Sequence, residues 1–247
     1  MATHELQSTD RTAPIPLGEG AATSGIEPEG DAPLTEDRAL AELKNRDLTP
    51  EAVERIGRDL AVMKSRKVRL ALASHPRTPR RMALRIIREL YTFELRHFAL
   101  MPTAVADLKR VADELLLTRL PSITLGERIS LARRSSATLA GAMLLDKEKQ
   151  VWQPALENPR LTEAAIVKAL QRAAGATFVE AVCHHPKWSL RQEVRVALLR
   201  NAHTPLAKAI DFARRIPPRQ LRDILHASRL PEKVKSYLRK DRAENKQ

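Results

Sequence analysis

Two distant segments of the chain share one pattern, and that pattern leaves few folds open. Residues 67–79 read KVRLALASHPRTP and residues 193–205 read EVRVALLRNAHTP, with Val, Arg, Ala, Leu, Thr and Pro in register at 68/194, 69/195, 71/197, 72/198, 78/204 and 79/205. In each, an apolar helical run ends, a bend of a few residues follows, and a second helix opens. A residue before proline is pushed out of the α region, so His75 stops the first helix. Asn158 and His185 do the same in looser copies of the turn at 157–162 and 184–189, and a further copy lies at 100–103. Pro76 to Pro102 and Pro159 to Pro186 span 26 and 27 residues, which approximates one unit, although the spacing elsewhere is irregular. One such unit cannot bury both of its apolar faces, so a stack of them is the stable object.

The rest of the chain after residue 48 reads the same way. No stretch alternates apolar with polar residues as a strand does, and helix-start signals follow one another. Thr49-Pro50, Thr78-Pro79 and Thr204-Pro205 each offer a hydroxyl N-cap before a proline at the first helical position. Thr124 with Glu127, Thr177 with Glu180 and Ser189 with Gln192 have the spacing of capping boxes. The runs they open have helical periodicity, as in Val53, Ile56, Leu60, Met63. The fold class expected is all-α, made of ten or more short helices.

Residues 1–48 differ. They hold ten acidic and four basic side chains, net −6, so the remainder of a chain whose total is +13 carries +19. Four of the eight glycines fall at 18, 20, 25 and 30. Such a segment buries too little apolar area to offset its chain entropy, and the expectation is a disordered acidic arm over 1–48, with a short helix near Glu36–Leu43. An arm of that charge can cover a basic body or compete with an anionic partner. A frayed basic tail is expected over 242–247.

The VRxAL helix, the Asn-Pro or His-Pro bend and the Thr-Pro helix together resemble the HEAT-like and leucine-rich-repeat-variant α-solenoids of bacterial proteins, over roughly residues 50–240. The resemblance implies a right-handed α-solenoid of stacked helical hairpins over 49–241. It also implies a curved scaffold with a binding face rather than an activity. An iron–sulfur module, which some repeat-variant proteins carry, needs several cysteines, and this chain has only Cys183.

Arginine is the suggestive surface residue. Arg77, Arg81, Arg85 and Arg88 fall on one helical face, and Arg191 with Arg195, Lys168 with Arg172, and Arg215, Arg219 and Arg222 repeat the theme. Aligned stripes of this kind form a groove that meets phosphates or an acidic peptide, while an ordinary solvated face accounts for them equally well. Arg69 and Arg195, inside the repeated motif, are expected to tie adjacent units by hydrogen bonds. Cys183-His184-His185 points in divergent directions along one helix, so helix-end and core roles are favoured over a metal site. Trp152 and Trp188 belong to just eight aromatics, too few for the several stacking platforms of a single-strand binder. Trp188 is expected to pack beneath its turn, with a groove anchor as the alternative.

No P-loop, GxGxxG, GxSxG or HExxH motif occurs, and no cofactor or small-molecule ligand is inferred. The function expected is a non-catalytic scaffold that binds another protein. A nucleic-acid-binding solenoid is the alternative, and a HEAT-like DNA glycosylase a remote third. The opening MATHELQSTD lacks a secretory apolar run, no stretch reaches membrane-helix length, and one cysteine excludes an internal disulfide, so the expected location is cytoplasmic.

Overall fold

A computed structural model describes residues 33–172 and 175–244. Most of the expected acidic arm, residues 1–32, and the end of the basic tail lie outside them. Fifteen α-helices and no strand occur among the described residues. They are α1 (Glu36–Glu42), α2 (Pro50–Arg58), α3 (Arg66–Ser74), α4 (Arg80–Glu89), α5 (Thr92–Leu100), α6 (Ala106–Arg119), α7 (Leu125–Arg134) and α8 (Ala137–Met143). Then come α9 (Lys149–Leu156), α10 (Glu163–Gln171), α11 (Ala176–His184), α12 (Gln192–Arg200), α13 (Leu206–Arg214), α14 (Pro218–His226) and α15 (Glu232–Glu244). Fold class is therefore all-α.

None of these helices exceeds 14 residues, so each is marginal in isolation and depends on its neighbours. Those neighbours are close in sequence. Consecutive helices pack as α3 on α4, α5 on α6, α7 on α8 and α12 on α13. Helices next but one pack as well: α4, α6, α8, α10, α12 and α14 form one row, and α1, α3 and α5, α7 and α9, and α13 and α15 are likewise paired. The buried apolar residues run continuously through this arrangement, from Ala39 in α1 to Leu238 in α15. The break expected near residue 48 thus falls between α1 and α2, both of which contribute to the core; Glu42 of α1 also pairs with Arg55 of α2 at 2.8 Å.

Helix starts follow the sequence in part. Thr49 accepts from the Ala52 N–H, and Thr124 and Glu127 form both halves of a capping box. Thr78 and Thr204 are not caps. Their prolines occupy the cap position, and each hydroxyl turns back to donate to a carbonyl six residues upstream, Leu72 and Leu198, at 2.6 Å in both cases. Thr177 lies inside α11, which opens on Gly175, and Ser189 lies outside α12, whose cap is Arg191, so neither expected capping box forms.

The helix ends explain how one element is joined to the next. The last carbonyls of an α-helix lack intrahelical donors. At five turns the residue ending or following a helix performs two tasks. One end of its side chain accepts the N–H two residues on, as His75 Nδ1 does from Arg77, Asn158 Oδ1 from Arg160, His185 Nδ1 from Lys187, Asn201 Oδ1 from His203, and Ser228 Oγ from Leu230. The same side chain also bonds to a group far upstream. His75 Nε2 meets Asn45 O at 2.9 Å, Asn158 Nδ2 donates to Ala132 O at 2.8 Å, Asn201 Nδ2 to Leu170 O at 3.0 Å, and Ser228 Oγ to Leu199 O at 2.6 Å. His185 Nε2 meets the Glu157 carboxylate at 3.1 Å, and there the Trp188 indole supplies the carbonyl bond, to Leu156 O at 2.9 Å. In both histidines Nδ1 accepts a backbone N–H, which leaves Nε2 as the donor to the upstream oxygen. Separations of 26 to 31 residues link each of these turns to a group in or near the end of an earlier helix. Each bond contributes about 0.5–1.5 kcal/mol net, and removing a donor that leaves its buried carbonyl unpaired costs about 1–3 kcal/mol.

Candidate functional site

Helix α4 is built so that its arginines must face out. Ala83, Ile86 and Ile87 are buried, and the intervening Arg81, Arg85 and Arg88 are exposed on the opposite side, with Arg77 exposed in the turn before. Arg80 alone is engaged, pairing with Asp107 of α6, whose carboxyl is held below its usual range chiefly by that hydrogen bond. Among the described residues Arg77, Arg81, Arg85 and Arg88 make no ion pair. Four uncompensated cations therefore lie along one short helix and its lead-in.

Arg81 and Arg85 also border a depression of about 580 Å³ between α2 and α4, which Arg58 and Leu60 border from the α2 side. Two local features make it. Gly57 leaves room for the Met82 side chain: a Cβ there would lie 2.5 Å from Met82 Sδ. Leu60 is 81% exposed, although the spacing Val53, Ile56, Leu60, Met63 places it in the core. The reason is Asp59, which ends α2 in an extended conformation and accepts the Ala61 N–H at 2.8 Å and the Val62 N–H at 3.2 Å. That turn resets the helical phase, and Leu60 swings outward.

Arg191 and Arg195 stand elsewhere. Arg195 lies in α12 and Arg191 is its cap residue, with α6, α8 and α10 between that helix and α4 in the row. Arg191 is exposed; Arg195 is half-buried, and its Nε donates to Ser189 O at 2.7 Å. The bond closes within its own turn rather than between units. Burial first, and the charge of Arg215 second, lower the Arg195 pKa. Arg69, its counterpart in α3, has a buried Nε with no hydrogen-bond partner among the described residues. The six arginines are thus two groups, and in the α4 group Arg81 and Arg85 border the depression together with Arg58, which is paired with Glu54. Lys168 and Arg172 edge a separate hollow of about 390 Å³, floored by Gly141, Ala165 and Ala169.

The Cys183-His184-His185 run is dispersed. Cys183 is buried and its thiol is pushed up to about 12, chiefly by desolvation. His184 bonds Glu180 O in its own helix, and His185 is occupied by the turn described above. No group of three metal-ligating side chains occurs among the described residues. Trp188 is buried under its turn and Trp152 packs edge-on to Phe178 at 5.4 Å, so neither is a surface anchor. The exposed aromatics are instead Tyr91, Phe93 and Tyr237, with the Arg66 guanidinium 4.7 Å from the Tyr91 ring centre.

No helix among the described residues is long and apolar enough to cross a membrane. Compared with known proteins, the chain matches no family model, no curated protein and no solved structure.

Proposed function

We propose that the helical body is a right-handed, HEAT-like α-solenoid and that it acts in the cytoplasm as a non-catalytic scaffold, binding another protein through its surface. The repeated helix-end bonds support the architecture, because a bond recurring at one-unit separations is what stacked units produce. The row of next-but-one helices supports it as well. The single observation that carries the functional reading is the set of four exposed arginines on and before α4 that have no acidic partner among the described residues. Cations left unpaired by the fold are available to an anionic surface. Affinity capture with the full chain and with Arg81→Glu/Arg85→Glu as baits tests it: the reading expects a protein held by the first and depleted on the second. Identical capture by both makes the arginines solvated surface.

The same arginines favour a second reading, binding of nucleic acid through phosphates. Its signature is affinity that falls steeply with salt, in proportion to the phosphates neutralised. Absence of binding to duplex DNA, single strands or RNA at low salt removes that reading.

A further inference from the structure

The depression between α2 and α4 has two chemistries that a simple basic patch lacks. Its cationic rim comes from both helices: Arg81 and Arg85 from α4 and Arg58 from α2. Glu54 also borders the space but is spent on Arg58, at 2.7 Å, which leaves Arg81 and Arg85 as net positive charge. Apolar surface lies beside that charge. Leu60 is the most exposed of the large hydrophobic residues among those described, and Met82, half-buried, lies where Gly57 makes room for its thioether. A methionine at such a point adapts its shape to what it covers. Arginine stems add further apolar wall while their heads stay in water.

We infer that this depression is a docking groove for an acidic peptide segment of a partner protein, carrying carboxylates spaced to reach Arg81 and Arg85 and a large apolar side chain that covers Leu60 and Met82. The inference rests on the protein-binding reading above and names its site and partner class. Charge complementarity selects the anion. Leu60 selects a peptide over nucleic acid, because a phosphate backbone gives an exposed leucine nothing to bury and the groove lining offers no aromatic ring on which a base could stack. The volume, about 580 Å³, suits side chains rather than a single ion.

The test selects random peptides displayed on phage against the full chain, then measures the enriched peptides and a duplex DNA oligonucleotide by fluorescence anisotropy. Enriched sequences are expected to combine Asp or Glu with Leu, Met or Phe. Their affinity is expected to fall about tenfold or more in Arg81→Glu/Arg85→Glu and, separately, in Leu60→Asp. Both variants change exposed side chains, and an unaltered thermal transition shows that they fold. Gly57→Ala, which pushes the Met82 tip aside, is expected to weaken the same peptides without altering charge. Peptides that bind with equal affinity to wild type and variants overturn the groove while leaving a protein-binding scaffold standing. Enrichment of no peptide above the bare support overturns both. DNA binding lost in the arginine variant but untouched by Leu60→Asp overturns the peptide assignment in favour of phosphate recognition.

Discussion

The turn after α3 and the turn after α12 use the same bonds in two different rows of helices. Both follow nine-residue helices and both break on an extended residue, His75 or Asn201. Each of those residues accepts the N–H two positions on and reaches back to a carbonyl about 30 residues upstream, and in each turn a threonine hydroxyl bonds the carbonyl six before it at 2.6 Å. Yet α3 packs with α1 and α5, whereas α12 packs with α10 and α14, in the other row. What recurs is therefore one helix with its turn, found in both rows. The copies differ in their surroundings. Helix α12 buries Val194, Val196, Ala197, Leu198 and Leu199, while α3 buries Val68, Leu72, Ala73 and Ser74. Arg195 has a carbonyl partner, and the Arg69 Nε has none among the described residues.

That difference is open to attack. Leu198→Ala and Leu72→Ala each remove a fully buried side chain and should each cost about 2–5 kcal/mol, with the loss larger in α12 because more of its surface is covered. Denaturant unfolding measures it, and a larger loss at Leu72 breaks the contrast. Next come Asn201→Ala and His75→Ala, which unpair a carbonyl and an N–H and should cost about 1–3 kcal/mol. His75→Asn should lose less than His75→Ala, since the shorter amide still offers Arg77 an acceptor. Thr78→Val and Thr204→Val should cost about 1 kcal/mol apiece, nearly equal, because the two bonds have the same length. The smallest effect should come from Arg69→Met, which sacrifices no Nε bond, while Arg195→Met loses the bond to Ser189. Cys183 offers a common readout. With its thiol pushed up to about 12, thiolate is scarce near neutral pH, so alkylation should track opening of the helices and should quicken in each variant in the order of its destabilisation.

Much of this architecture was legible in the sequence. The all-helical class, the Thr49 cap and the Thr124–Glu127 box follow from local rules, and the outward face of α4 follows from arginine spacing around Ala83, Ile86 and Ile87. What escaped involved contacts beyond one turn. His75, Asn158 and His185 read as residues that end a helix before the following proline; their far ends reach groups 26 to 30 residues earlier, and only the recurrence of His or Asn at that interval hints at it. Thr78 and Thr204 resemble caps because the sequence does not say which way a hydroxyl points. The groove was half visible. Arg81 and Arg85 carried a signal, but Arg58 and Leu60 join them only because Asp59 rephases the chain and Gly57 admits Met82.

Native-state hydrogen exchange on the chain carrying Asn201→Ala tests most directly whether each helix depends on its stacked neighbours. Protection should fall in α10, α12 and α14, the helices that meet at this turn, while α3 to α6 keep theirs. A uniform loss of protection across all helices would contradict a molecule assembled from neighbour-coupled units.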